Sequence, residues 1–264
     1  MRDILTIRMG GNTPVVAAAI HDGHHLGKDL IRISALDDSV RLREEDPFTG
    51  SWTVISDNRI IVHISRFAFD LNRPPEKAVY LTPSDAWGLE LWKSRLPEVQ
   101  VKESGEMYSA VYSRIKKGLS GLVDRFGAVV VYDLHSYNHR RGGPHSDQED
   151  PAQNPEINLG TGTMDRAYWS FLVDRFISDL RKFDFHGRKL DVRENIKFTG
   201  GYFSRWVHEN FAGSICCLSI DVKKFFMDEW TGRPDHSLIK SLGEAFRFTV
   251  PGVLEALSKH CSIQ

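Results

Sequence analysis

The run Val129 to Arg141, Val-Val-Val-Tyr-Asp-Leu-His-Ser-Tyr-Asn-His-Arg-Arg, constrains this chain more than any other stretch. Its opening residues are β-branched or aromatic, which predicts a buried strand, and it goes on to Asp133, His135, Ser136 and Asn138. A buried strand that delivers polar side chains at its carboxyl end is how open α/β sheets build ligand sites. Three further stretches, Ile20 to His25, Ser65 to Pro74 and Ser219 to Gly232, are expected to feed the same pocket.

The rest of the chain supplies partners for such a strand. Thr13 to Ile20, Arg59 to Ser65 and Ile215 to Val222 read as strands, the first ending at a tight turn that Gly23 permits. Ser84 to Lys93, Glu106 to Arg125 and Met164 to Phe183 read as amphipathic helices, and Ser237 to Ser258 as a closing helix that Pro251 is expected to interrupt. Arg41 to Thr49 reads as a charged turn that Pro47 helps to end. Strands alternating with helices imply an α/β fold of three layers, a mostly parallel or mixed sheet with helices on both faces. With 264 residues, 41% of them apolar, one domain over 1–264 is favoured. Gly142 to Pro155, rich in Gly, Pro, Asp and Gln, is the only long insertion-like loop, and it directly follows the central run.

Composition narrows the partners. The 34 basic and 35 acidic residues nearly cancel, which argues against a general grip on nucleic acid or an anionic membrane and leaves a small molecule held by local charge. No apolar run is long enough to span a membrane, and the start of the chain lacks the pattern of a signal peptide. Cys216, Cys217 and Cys261 form no disulfide framework, so a reducing, cytoplasmic setting is expected. Oligomeric state is not legible.

The chemistry rests on three signals. His21 and His135 both follow apolar strand residues, where neighbouring strands bring imidazoles together as zinc ligands. For a third ligand, His24 and the acidic pair Glu45 and Asp46 compete. Arg73, beside Asn72, is a candidate anchor for a substrate carboxylate, or else a structural partner of Asp70 or Glu76. Arg140 and Arg141 follow His135 closely and are candidates for the same anion. Asp221, leaving the late strand, is a candidate general base, with Glu229 beside Trp230 as its competitor.

His21-Asp22-Gly23, the block from Ser65-Arg66 through Asp70-Leu71-Asn72-Arg73-Pro74, and Asp133-Leu134-His135-Ser136 together resemble the N-formylglutamate amidohydrolase family, in matching order from about Val15 to Gly232. That family resembles the zinc carboxypeptidases and aspartoacylases in fold. The resemblance implies one zinc ion per chain on His21, His135 and a third ligand, with Asp46 preferred and His24 the alternative. It implies Arg73, assisted by Asn72, on the substrate carboxylate, Asp221 as the base, and Arg66 or Arg140 as an oxyanion donor. The implied activity is hydrolysis of an acidic acylamino acid such as N-formylglutamate. The alternatives are a carboxypeptidase, another deacylase, or a binding homologue without activity. Two departures stand out: carboxypeptidases usually carry a Glu where this chain has His24, and their base is a Glu, one methylene longer than Asp221.

Overall fold

The structure, a computed structural model, describes residues 4–261. Its strands are β1 (Leu5–Arg8), β2 (Val15–Ala19), β3 (Asn58–Val62), β4 (Val129–Tyr137), β5 (Ile157–Gly160), β6 (Val192–Glu194) and β7 (Ile215–Lys223). They form one seven-stranded sheet in the order β1-β3-β2-β4-β7-β5-β6. The centre, β3-β2-β4-β7, is parallel, while β1 runs antiparallel to β3 and β5 antiparallel to β7, so the sheet is mixed.

Strand β4 is buried along its whole length. Its side chains alternate between faces: Val130, Tyr132 and Leu134 join one apolar cluster, and Val129 and Val131 the other. Burial of each such Val or Leu is worth roughly 1.5–3 kcal/mol, which makes the strand a stiff carrier for the polar residues near its end.

The helices are α1 (Lys28–Ile33), α2 (Asp38–Glu44), α3 (Thr49–Trp52), α4 (Glu98–Phe126), α5 (Ser170–Lys182), α6 (Tyr202–Asn210) and α7 (His236–Cys261). One face of the sheet is covered by Trp52 of α3, Phe176 and Leu180 of α5, and Leu242 and Phe246 of α7. The other is covered by Ile115 and Leu119 of α4 and Phe203 and Val207 of α6. Among the described residues, no helix is long and apolar enough to cross a membrane.

Several local expectations are corrected. Ser84 to Lys93 is not a helix: a single turn over Pro83–Ala86 ends where Trp87 and Gly88 take left-handed φ values of 55° and 89°. The first four residues of the expected turn, Arg41 to Glu44, are the end of helix α2, where Arg41 and Glu44 are buried. Helix α7 continues through Pro251. Core residues on both sides of the proline, Phe246 before it and Val253 and Leu257 after it, offset the roughly 3 kcal/mol that an interior proline costs. Gly23 is required for a different reason from the expected one. It is not among the residues of positive φ, but a Cβ there would strike the backbone of His63.

Candidate active site

The strand order decides where the chemistry gathers. The chain goes from β2 to β3 on one side and later places β4 on the other, so the carboxyl ends of β2 and β4 flank a switch point. His21 follows β2 and His135 lies near the end of β4; their rings meet edge to face, 5.1 Å between centroids. Asp46 completes the group, because its peptide N–H donates to the His21 carbonyl at 3.0 Å. Lys224 clamps the same turn from behind. Its buried ammonium donates to the carbonyls of Arg43 and Glu45 at 2.6 and 2.7 Å and to Asn138 Oδ1 at 3.0 Å. Burial pulls this ammonium's pKa down to about 8.

Asp46 Oδ2 then lies 3.0 Å from His135 Nδ1 and 3.3 Å from His21 Nδ1. One potential ligand atom from each of the three buried residues lies within 4.8 Å of the other two. The far sides of both imidazoles face carboxylates: His21 Nε2 is 2.7 Å from Asp70 Oδ1, and His135 Nε2 is 3.0 Å from Asp133 Oδ1. A carboxylate behind an imidazole fixes its tautomer and turns the opposite lone pair toward a ligand. Of the two contacts only His21–Asp70 is a hydrogen bond; His21 Nδ1, His135 Nε2 and both Asp133 carboxylate oxygens are buried without a hydrogen-bond partner among the described residues.

Charge reinforces the geometry. Burial opposes ionisation of Asp70, but Arg66 and His21 hold its carboxyl well below the usual range. Asp70 also accepts from the Asn72 N–H at 2.7 Å and from the Tyr80 hydroxyl. Burial likewise opposes the charge on Asp46, and His135 and His21 overcome it. For His135, burial disfavours the proton, yet Asp133 and Asp46 raise its pKa well above the ordinary value.

The cluster sits in a cavity of about 200 Å³ that Asp221 also lines. Asp221 pairs with His135 in the β4–β7 ladder, and burial pushes its carboxyl up to about 7. Arg66 and Arg141 bring positive charge to the walls, which also include Trp87 and Phe198. Arg66 is committed, with Nη2 donating to Asp70 at 2.7 Å and its guanidinium 5.0 Å from the Trp87 ring. Arg141 is freer, its side chain 46% exposed and 3.4 Å from Glu44.

Other sequence candidates fall elsewhere. Arg73 does not line the cavity: its guanidinium lies over the Tyr80 ring at 4.8 Å, with Nε 3.9 Å from Asp70. This is the structural pairing with Asp70 that its spacing allowed. Asn72 does line the cavity, but its Oδ1 accepts the Phe203 N–H at 3.0 Å and so anchors the start of α6. His24 turns away to Glu45, with Nδ1 2.5 Å from Oε2, and Glu45 also accepts from the Ser65 hydroxyl. Glu45 is in extended backbone, so its side chain and that of Asp46 diverge.

Glu229 accepts the peptide N–H groups of His139 and Arg140 at 2.9 and 2.6 Å. With Arg140 it lines a second, more open cleft of about 600 Å³. Burial opposes its charge, but the contacts from His139 hold its carboxyl below the usual range. Sequence reasoning assigned no task to Asp133 or Asp70 as imidazole anchors. The Asp-x-His spacing of Asp133 and His135 was visible, but the contact of Asp70 with His21 spans 49 positions and has no local signature.

Fold and site together define an α/β protein with a buried His-Asp-His cluster of metal-ligating type at the switch point of a mixed sheet. Residues 13–226 match the family described as N-formylglutamate amidohydrolase, and the chain belongs to that family. Its fold is similar to that of an N-formylglutamate amidohydrolase from Ralstonia eutropha, with a TM-score of 0.73, 17% identity, and coverage of 97% of this chain and 98% of that one. It is also similar to a gene product of Agrobacterium tumefaciens, with a TM-score of 0.67, 16% identity, and coverage of 97% and 96%. No curated protein sequence matches the chain.

Proposed function

We propose that the chain is a metal-dependent hydrolase, a single amidohydrolase domain over 1–264, that cleaves the amide of a small acidic N-acyl amino acid such as N-formylglutamate. One observation carries the reading: a single small cavity holds the His21, Asp46 and His135 cluster, the Asp221 carboxyl and the half-exposed Arg141 guanidinium. Membership of the family supports the choice of an amide.

The donor set suits a zinc ion. Two imidazoles present Nδ1, their Nε2 sides are backed by carboxylates, and the buried His21 Nδ1 is otherwise unpartnered. One such ion per chain would be held by His21, Asp46 and His135, in the manner of a zinc carboxypeptidase with Asp in place of the usual Glu. Its chemistry is Lewis acidity toward the scissile carbonyl and the attacking water.

The protein's own groups do the rest. Asp221, whose carboxyl burial pushes up in the metal-free protein, takes a proton from the water as the water's oxygen adds to the amide carbon, then delivers that proton to the nitrogen. The C–N bond breaks, leaving formate and the free amino acid when the substrate is a formyl compound. Arg141 receives the substrate carboxylate at the rim of the cavity, with Arg66 adding charge deeper in. Arg73 acts behind the site, through Tyr80 and Asp70, rather than on the substrate. A cavity of about 200 Å³ is tight for a peptide, since pockets for drug-sized ligands run to roughly 300–1,000 Å³; a carboxypeptidase is therefore the secondary reading. The adjacent buried thiols Cys216 and Cys217 suit a reducing cytoplasm.

The test is metal analysis of the purified protein joined to formate release from N-formylglutamate before and after chelation. About one zinc per chain, with turnover lost on chelation and restored by zinc, is the expected result. Metal without turnover on any acylamino acid would overturn the enzymatic reading, and turnover unaffected by complete removal of metal would overturn the role of the cluster.

A further inference from the structure

Strand β5 carries a residue that the mechanism above leaves unused. Asn158 is fully buried and lies opposite Asp221 in the antiparallel β5–β7 ladder. Its Nδ2 donates to the Phe198 carbonyl at 2.9 Å and, more weakly, to Asp221 Oδ2 at 3.4 Å. Its Oδ1 accepts the N–H groups of Ile196 and Lys197 at 3.0 and 2.9 Å and, at 3.5 Å, makes a marginal contact with that of Phe198. Two donors and two lone pairs are the whole capacity of a primary amide. All of it is spent on two things: a carboxylate near the end of β7, and the segment 196–198.

That segment belongs to a wall of the cavity, which Phe198, Gly200 and Gly201 line together with Asp221. Phe198 stacks edge-on against Tyr137 with centroids 5.6 Å apart, and Lys197 pairs with Glu149 of the long loop at 3.0 Å. The wall is pressed against the end of β5, where a Cβ on Gly160 would lie 2.5 Å from the Gly200 nitrogen.

We propose that Asn158 is a positioning residue for the hydrolysis: it orients the Asp221 carboxylate toward the cavity and holds the Phe198 wall on the same amide. The inference rests on the reading of Asp221 as the base. Without the Nδ2 donor, the carboxylate loses an oriented partner, and a displacement of about 1 Å at a reacting group costs on the order of 10²-fold in rate.

The test is a double-mutant cycle on N-formylglutamate turnover, with zinc content and thermal melting measured on every variant. Asn158→Ser removes the amide donor facing Asp221 without placing a second carboxylate against it. It is expected to lower kcat by about 10–100-fold with KM within about threefold and zinc content unchanged. In the Asp221→Asn background, with residual turnover read at high enzyme concentration, the same substitution should change kcat by less than about twofold, because the group it orients is gone. Losses that multiply across the two sites would assign Asn158 a purely structural role and overturn the proposal. If Asn158→Ser does not fold, Asn158→Ala is read in the same cycle. Wild-type protein without turnover would sink the reading of the site and this inference with it, whereas normal wild-type turnover with multiplying losses sinks the inference alone.

Discussion

The end of β7 and the turn that follows it place two acids eight positions apart in very different surroundings. Asp221, still within β7, lines a cavity with a single side-chain donor at 3.4 Å, and burial pushes its carboxyl up to about 7. Glu229 is wrapped by two peptide N–H groups and faces His139, and its carboxyl is held below the usual range despite burial. The same contrast separates neighbours earlier in the chain: Asp46 faces two imidazoles, while Glu45 pairs with His24 and Ser65. An acid that satisfies backbone donors is spent on structure, and one left facing a cavity keeps its proton chemistry available.

On the proposed reading, the comparison breaks most sharply at the cluster. His135→Ala should take zinc from about one per chain to none and abolish turnover, while His24→Ala should leave zinc in place; elemental analysis of both variants decides it. Next in size, Asp221→Asn should lower kcat by about 10²–10⁴-fold with metal retained, as loss of a general base does. Glu229→Gln should leave the turnover of folded protein within about threefold but reduce stability by about 1–3 kcal/mol, because charge-assisted bonds to buried N–H groups are weakened. Equal kinetic losses at both acids, measured beside chemical denaturation, would erase the distinction.

Smaller effects sharpen it. Arg141→Ala should raise KM for acylamino acids about tenfold, equivalent to about 1.4 kcal/mol, and leave KM for their carboxamides unchanged. Arg73→Ala should not discriminate between the two substrate forms.

The pH dependence of stability should differ in sign between the two acids. In metal-free protein, Asp221 holds a proton from about pH 4 to about pH 7 that the unfolded chain has already released. Its contribution is therefore present at low pH and is lost as pH rises through about 7, and Asp221→Asn should flatten that slope. Glu229, with its pKa depressed in the folded state, contributes above its unfolded value near 4.5 and loses that contribution as pH falls through the folded one. Denaturation midpoints across pH for the two variants check both signs.

Much of this was legible locally. The β-branched run at Val129 marked the central strand, and alternation of strands and helices implied a layered α/β fold whose sheet is mixed in the event. His21 and His135 could be paired because both sit near strand ends, where a parallel sheet gathers its ligands. The helix expected over Ser84 to Lys93 failed because amphipathic spacing says nothing of the left-handed backbone at Trp87 and Gly88. Pro251 misled in the opposite direction, since core packing on both sides of it outweighs a local penalty.

The sequence by itself determined four of the seven strands in outline, β2, β3, β4 and β7, together with the imidazoles and a set of nearby acids and arginines, because periodicity and residue chemistry are local properties. Only the tertiary structure decided which acid meets which partner. Asp70 reaches His21 across 49 positions, Lys224 clamps the turn before Asp46, Arg73 lies on Tyr80 while Arg141 faces the cavity, and Asn158 joins Asp221 to Phe198. The physical reason is that a side chain's charge state and role depend on burial and on the few groups within about 3–4 Å, and the order of strands, not spacing along the chain, sets those neighbours.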